Sequence, residues 1–197
     1  MELGLFKGLI KASALLAVTL LVACSPKLDW RTVNSPQEGY TALFPGKPDK
    51  LERRIPYQDQ ELQQTLEAVK IDDDIYSIGT IKVPVSQSAA TEKIIIQLKA
   101  NLLDRAKATG GSVNEEGTTY QTSGRQRLVT KDYFVSIKAN DKVQQLMRVR
   151  WITRQMTNGD SLIYQVSVLH AGSMAEDAKT LLSKEEYANF FNEFCPE

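Results

Sequence analysis

The sequence predicts an α+β domain: an antiparallel sheet of about six to seven strands, one long helix and a C-terminal helical segment packed on it. Three observations predict it. Short runs with a period of two recur through residues 30–83 and again through 125–169. One stretch between them, Ser88 to Thr109, has helical periodicity instead. The chain then closes on a Phe-rich segment carrying two capping-box patterns. Consecutive antiparallel strands with segregated helices are the α+β layering.

Residues 1–23 read as an address and are set aside from the fold. Lys7 and Lys11 make a short positive region, and Ala12 to Ala23 is uncharged and rich in Ala, Leu and Val. That run is shorter than the roughly 20 apolar residues needed to span a bilayer. Leu21-Val22-Ala23-Cys24 follows it directly. This tetrad resembles the lipobox of bacterial lipoprotein precursors. The resemblance implies that the Cys24 thiol takes a diacylglyceryl group and that cleavage falls before Cys24. By the sorting rule of that family, Ser25 rather than Asp favours the outer membrane, facing the periplasm. Two or more acyl chains anchor stably, each buried methylene contributing about 0.8 kcal/mol. The membrane is therefore the first expected partner, through covalent lipid on Cys24.

The charge balance excludes some classes. The 197 residues hold 24 basic and 24 acidic side chains. Removing 23 of the 197 residues leaves 174. The loss of Lys7, Lys11 and Glu2 turns 24 of each sign into 22 basic and 23 acidic, net −1. A dedicated nucleic-acid binder would show a basic excess. With Cys24 lipidated, Cys195 has no disulfide partner. It is expected as a small apolar residue at the end of a helix, with an intermolecular disulfide as its functional alternative.

In the remaining chain, Ser25 to Asp29 is a tether of at most about 18 Å, and residues 30–197 form one domain. Strands are expected over Trp30 to Val33, Tyr40 to Phe44, Leu51 to Tyr57, Leu62 to Ile71 and Ile75 to Val83. Pro45-Gly46-Lys47-Pro48 and Asp72-Asp73-Asp74 mark turns. In the Ser88–Thr109 helix, Ile95, Leu98, Leu102 and Ala106 form one stripe, widened by Ile94 and Leu103, and Gly110-Gly111 ends it. Val113 to Ser123 is polar, a loop or a short edge strand. Arg125 to Lys138, Val143 to Gln155 and Ser161 to Leu169 read as a meander. A two-residue Asn158-Gly159 turn would set Trp151 opposite Val166 and Val149 opposite Val168. A three-residue loop, Ala139-Asn140-Asp141, would put Tyr133, Val135 and Ile137 on the buried face and Asp132 opposite Arg148 on the outer one. Ser173-Met174-Ala175-Glu176 and Ser183-Lys184-Glu185-Glu186 read as capping boxes, with a break near Ser183.

No catalytic or metal constellation emerges, and no cofactor is implied. His170 is the one histidine, and no nucleophile elbow accompanies it. One His and one free Cys do not make a zinc site, and the Asp72–Asp74 run lacks EF-hand spacing. Arg148, Arg150 and Arg154 share one face of their strand. With helices on one side of the sheet only, that row would stand on an outer face. It is the candidate site for an anion or a protein partner.

Tyr40-Thr41-Ala42-Leu43-Phe44-Pro45-Gly46-Lys47-Pro48 resembles a recurring opening in exported bacterial proteins. The element order from 30 to 194 resembles the PsbP-like α/β/α fold. That resemblance implies a non-catalytic accessory module and carries over no site residue. The expectation is an anchored protein-binding or assembly module. The alternative is a small-ligand binder using a groove between the sheet and its helices. An enzyme ranks third.

Overall fold

A computed structural model describes residues 28–57, 60–140, 142–172 and 177–197. The architecture is α+β and strand-rich. Seven strands make one antiparallel sheet: β3 (Asp49–Tyr57), β4 (Gln60–Ile71), β5 (Asp74–Val83), β6 (Val113–Gln121), β7 (Arg127–Ala139), β8 (Lys142–Gln155) and β9 (Ser161–Ala171). Their order across the sheet is β3-β4-β5-β9-β8-β7-β6. A second, three-stranded sheet joins β1 (Arg31–Ser35), β2 (Tyr40–Phe44) and β10 (Cys195–Pro196). The helices are α1 (Thr91–Ala108), α2 (Ala178–Leu182) and α3 (Glu185–Asn192), and Val85–Ala90 is a 3-10 turn leading into α1.

The large sheet is covered on both faces, which corrects the expectation of one open face. On one face, Leu98, Leu102, Leu103 and Ala106 of α1 pack against Tyr133, Val135, Ile137, Val149 and Trp151. Further along, Ile94 and Ile95 meet Leu62, Ile81, Val83 and Ile163. The expected stripe of α1 therefore makes the contacts that its periodicity assigns to it. On the other face, α2, α3 and the small sheet bring Tyr40, Phe44, Leu181, Leu182, Tyr187, Phe190, Phe191 and Phe194 onto Phe134, Ile152, Tyr164, Val166 and Val168. The physical reason is area. Each aromatic side chain buries about 150–250 Å², and the Phe-rich segment carries enough of them to cover a second face.

Both hairpin registers differ from the expected ones. The β8–β9 loop is three residues long. The Gly159 N–H donates to the Met156 carbonyl at 2.9 Å, Met156 N–H donates to Asp160 at 2.8 Å, and Gly159 sits at φ +88°. This is a type I turn closed by a left-handed glycine. Asn158 and Gly159 are its second and third residues rather than a whole two-residue turn. The register moves by one, so Trp151 pairs with Gln165, and Arg150 with Val166. A one-residue slip exchanges the faces: Trp151 looks toward α1 and Val166 toward α2 and α3. In the β7–β8 hairpin Ala139 pairs with Lys142, and a bulge between Ile137 and Lys138 sets Asp132 opposite Arg150, not Arg148. Tyr133, Val135 and Ile137 do share the buried α1 face with Val149.

Smaller differences follow the same logic. Of the two readings of Val113 to Ser123, the edge strand is the one formed, over Val113–Gln121. Gly110 takes φ +69°, as a helix-ending glycine should, and a Cβ on Gly111 would lie 1.9 Å from the Ser136 carbonyl oxygen. The Ser183 capping box does not form. Ser183 ends α2, and α3 starts from Lys184 with no side-chain cap. The capping box expected at 173–176 lies outside the described residues. Asp177 caps α2, accepting from the Lys179 and Thr180 amides at 2.9 and 3.1 Å.

Candidate functional site

Cys24 and Ser25 lie outside the described residues. In the described residues that follow them, the Asp29 amide donates to the Pro45 carbonyl, and the Trp30 ring meets Tyr76 edge-on at 6.4 Å. Among the described residues no helix is long and apolar enough to cross a membrane.

The arginine row is not an open surface. Asp132 is 2% exposed and Arg150 0%, and Arg148 is buried beside them. The Asp132 carboxylate accepts from Arg148 Nη2 at 2.6 Å and from Arg150 Nε at 2.6 Å and Nη2 at 2.9 Å. Each guanidinium spends a further N–H on a helix end. Arg148 reaches the Leu182 carbonyl of α2 at 3.0 Å, and Arg150 reaches the Phe191 carbonyl of α3 at 2.9 Å. Those carbonyls are the negative ends of their helices, where a cation is favoured. The Phe191 ring lies 4.2 Å from the Arg148 guanidinium. Burial pulls the Arg148 guanidinium below its ordinary range, and Asp132 works against that pull. Arg154 stands apart, half-buried, with Nε on the Glu197 carbonyl oxygen at 3.0 Å. The row expected to meet a partner thus divides into a buried clamp for α2 and α3 and a separate strap on residue 197.

Other ionisable groups are also tied into the fold. His170 Nδ1 lies 2.6 Å from the Asp74 carboxylate, whose second oxygen accepts from the Tyr187 hydroxyl at 3.0 Å. The acidic run therefore ends in a side chain that links β9 to α3. Glu67 is buried and accepts from the Ser35 hydroxyl at 2.7 Å and from the Tyr40 hydroxyl. Burial, first, and the Glu67 contact push the Tyr40 hydroxyl well up. Cys195 sits in β10 opposite Thr41 rather than at a helix end. Burial raises its thiol, and the Glu193 charge adds to that. A raised thiol is a poor nucleophile at neutral pH. Among the described residues no three His, Cys, Asp or Glu side chains group as metal ligands.

One open feature is a groove on the α1 face, where α1 leaves β4, β5 and β9 uncovered. Its volume is about 210 Å³. Leu98 of α1, Ile81 and Ile163 form its apolar wall, and Gly79 lowers its floor. Arg53, Gln64, Ser77 and Gln165 supply polar groups. Arg53 Nε donates to Gln64 at 2.7 Å, and Gln165 accepts from the Trp151 indole at 3.0 Å. The Ser77 and Ser167 hydroxyls are 2.9 Å apart. Leu66 lines the groove and is 36% exposed, and Leu51 opposite it on β3 is 57% exposed. Sequence reasoning offered a groove between the sheet and its helices as the alternative, but it named none of these residues. The available signal was Ser77-Ile78-Gly79: two small residues on one face of a strand interior, a pattern that marks close approach to the sheet.

No family model matches the chain, and no curated protein matches its sequence.

Proposed function

We propose that the chain is an exported lipoprotein, anchored through lipid on Cys24 and directed by Ser25 to the outer membrane. Its domain is a non-catalytic accessory module facing the periplasm. The groove beside α1 receives a segment of a protein partner. The groove carries this reading, because Leu66, Leu98, Ile81 and Ile163 line it together with the polar groups of Arg53, Gln64, Ser77 and Gln165. Its chemistry suits an extended segment with one apolar side chain for the Leu66–Leu98 wall and a carboxylate for the outer N–H groups of Arg53. At about 210 Å³ it is smaller than the ~300–1,000 Å³ of drug-sized ligand sites, which favours a protein segment over a free small ligand. Helices on both faces of an antiparallel sheet support the PsbP-like reading and its accessory role. The short stretch between Cys24 and Asp29 would hold the domain against the headgroups.

One experiment tests anchor and groove together. Cells expressing the full chain are fed a clickable fatty acid, with a photoreactive residue at position 66 or, as control, at Val129, which is 85% exposed on β7. Label should vanish with Cys24→Ser, and one adduct of defined mass should form from position 66 and not from 129. Label persisting in Cys24→Ser overturns the anchor, and equal adducts from both positions overturn the groove.

A further inference from the structure

The seven-stranded sheet ends in two edges, β3 and β6. Both carry side-chain ion pairs: on β6 Glu115 pairs with Lys131 at 2.9 Å and Glu116 with Lys179 at 3.4 Å, and on β3 Lys50 pairs with Glu38 at 3.1 Å and Arg54 with Glu61 at 3.4 Å. On β3, every residue from Asp49 to Arg54 is exposed, and among the described residues no strand pairs with its outer side. Leu51, in the middle of that run, is 57% exposed. Edges of this length normally carry some device against pairing. Charge could be that device here, but its pattern is self-complementary.

Pro56 fixes which backbone groups face outward. It has no N–H to give to β4, and proline in an edge strand turns that side to solvent. Residues alternate, so the even positions 50, 52 and 54 direct their N–H and C=O groups outward. Position 51 then lies between them, with its side chain on the α1 face, as its pairing with Leu66 requires.

We infer that β3 pairs antiparallel with β3 of a second copy of this chain, about a two-fold axis through Leu51. In this register Leu51 meets its own copy, Lys50 meets Glu52 of the partner subunit, and Asp49 meets Arg53 of the partner subunit. Both charge contacts occur twice, and no like charges face each other. Within the chain Lys50 lies 3.0 Å from Glu52 and 3.1 Å from Glu38; the pairing joins each Lys50–Glu52 pair to its copy in a ring of four charges, with Glu38 behind each Lys50. Shifting the centre to Arg53 sets two guanidinium groups against each other, and shifting it to Glu52 sets two carboxylates together. The axis is perpendicular to the sheet. Both grooves therefore open on one side, and both Trp30 segments lie on the other. The pairing depends on β3 alone and does not rest on the lipid anchor or on the groove's occupant.

The test uses the full chain with Cys195→Ser and one new cysteine. Position 51 on the axis is a non-hydrogen-bonded pair, with Cα atoms about 4.5 Å apart, within disulfide reach. Two copies of position 53 would be about 13 Å apart at the strand rise, too far to bridge. Oxidation should give a covalent dimer from Leu51→Cys and none above the Cys195→Ser background from Arg53→Cys or Glu115→Cys. Sedimentation of the full chain in mild detergent provides the second readout. Asp49→Arg and Arg53→Asp each put like charges opposite in two places and should weaken the dimer about tenfold. The double variant restores opposite signs and should regain the original dimer affinity. Circular dichroism confirms that each variant is folded. A monomeric chain, a bridge at 53 in place of 51, or a double variant no tighter than the singles overturns the proposal.

Discussion

Asp132 shows how much one side chain decides. It is a buried carboxylate opposite Arg150, and it holds two guanidinium groups that in turn hold the ends of α2 and α3. Taking away one member of such a group leaves uncompensated buried charge, which costs about 3–5 kcal/mol. Asp132→Ala should lower the urea midpoint accordingly. Arg154→Ala removes one partly exposed bond to the Glu197 carbonyl and should cost about 0.5 kcal/mol. Equal losses from the two variants would mean that Asp132 is not the centre of the clamp. Gly111 is the other decisive residue. Its α-carbon lies so close to the Ser136 carbonyl that a methyl group must displace β7 or the end of α1. Gly111→Ala should cost about 1–3 kcal/mol, while the same change at Gly117, where nothing lies within 4 Å, should leave packing undisturbed.

Among the elements, α2 depends on its cap more than on its length. A five-residue helix cannot sustain itself on propensity, and Asp177 closes its first turn. The Thr180 hydroxyl and amide hold the Asp177 carboxyl below its ordinary range. A depressed carboxyl stabilises the fold above its unfolded pKa of about 3.9, and the effect fades as pH falls through the lower folded value. Asp177→Asn should therefore flatten the loss of stability below about pH 4, as followed by thermal unfolding across pH 2–6. The meander shows how far elements can be read from sequence. Strand positions in β7, β8 and β9 were legible, because turns bound apolar runs. Their registers were not, for two reasons. Asn158-Gly159 fits a two-residue turn and a three-residue turn with a left-handed glycine equally well. The usual arbiter, an apolar face against a polar one, fails where a sheet is buried on both sides. Val149 and Trp151 are apolar, and so are Ile152 and Val166 across the sheet. The arginine row followed from the same ambiguity. Alternation put Arg148 and Arg150 on one face correctly, but it could not say that Phe190, Phe191 and Phe194 would cover that face. The groove was less legible still, since it depends on where α1 stops covering the sheet.

In the whole molecule, two packed layers share one sheet, and this determines how it unfolds. Alternate residues of β7 serve opposite layers: Tyr133 and Val135 meet α1, and Phe134 meets the C-terminal helices. Neither layer can loosen without exposing the backs of strands that the other needs. The two tryptophans report on the layers separately. Trp30 packs on Tyr76 on the α2–α3 side. Trp151 packs on Tyr133 at 5.3 Å on the α1 side, with the Lys99 ammonium 5.8 Å from its ring. Trp30→Phe leaves the fluorescence of the α1 layer, and Trp151→Phe leaves that of the other. Each variant shifts stability by its own substitution, so each fluorescence curve is compared with circular dichroism of the same variant in urea. The two probes should coincide in both variants, with a slope of about 1–3 kcal/mol per M. Coincident curves are the mark of one cooperative unit. A fluorescence transition that precedes the dichroism in either variant would mean that the layers come apart in sequence. The shared sheet would then not bind residues 28–197 into a single domain.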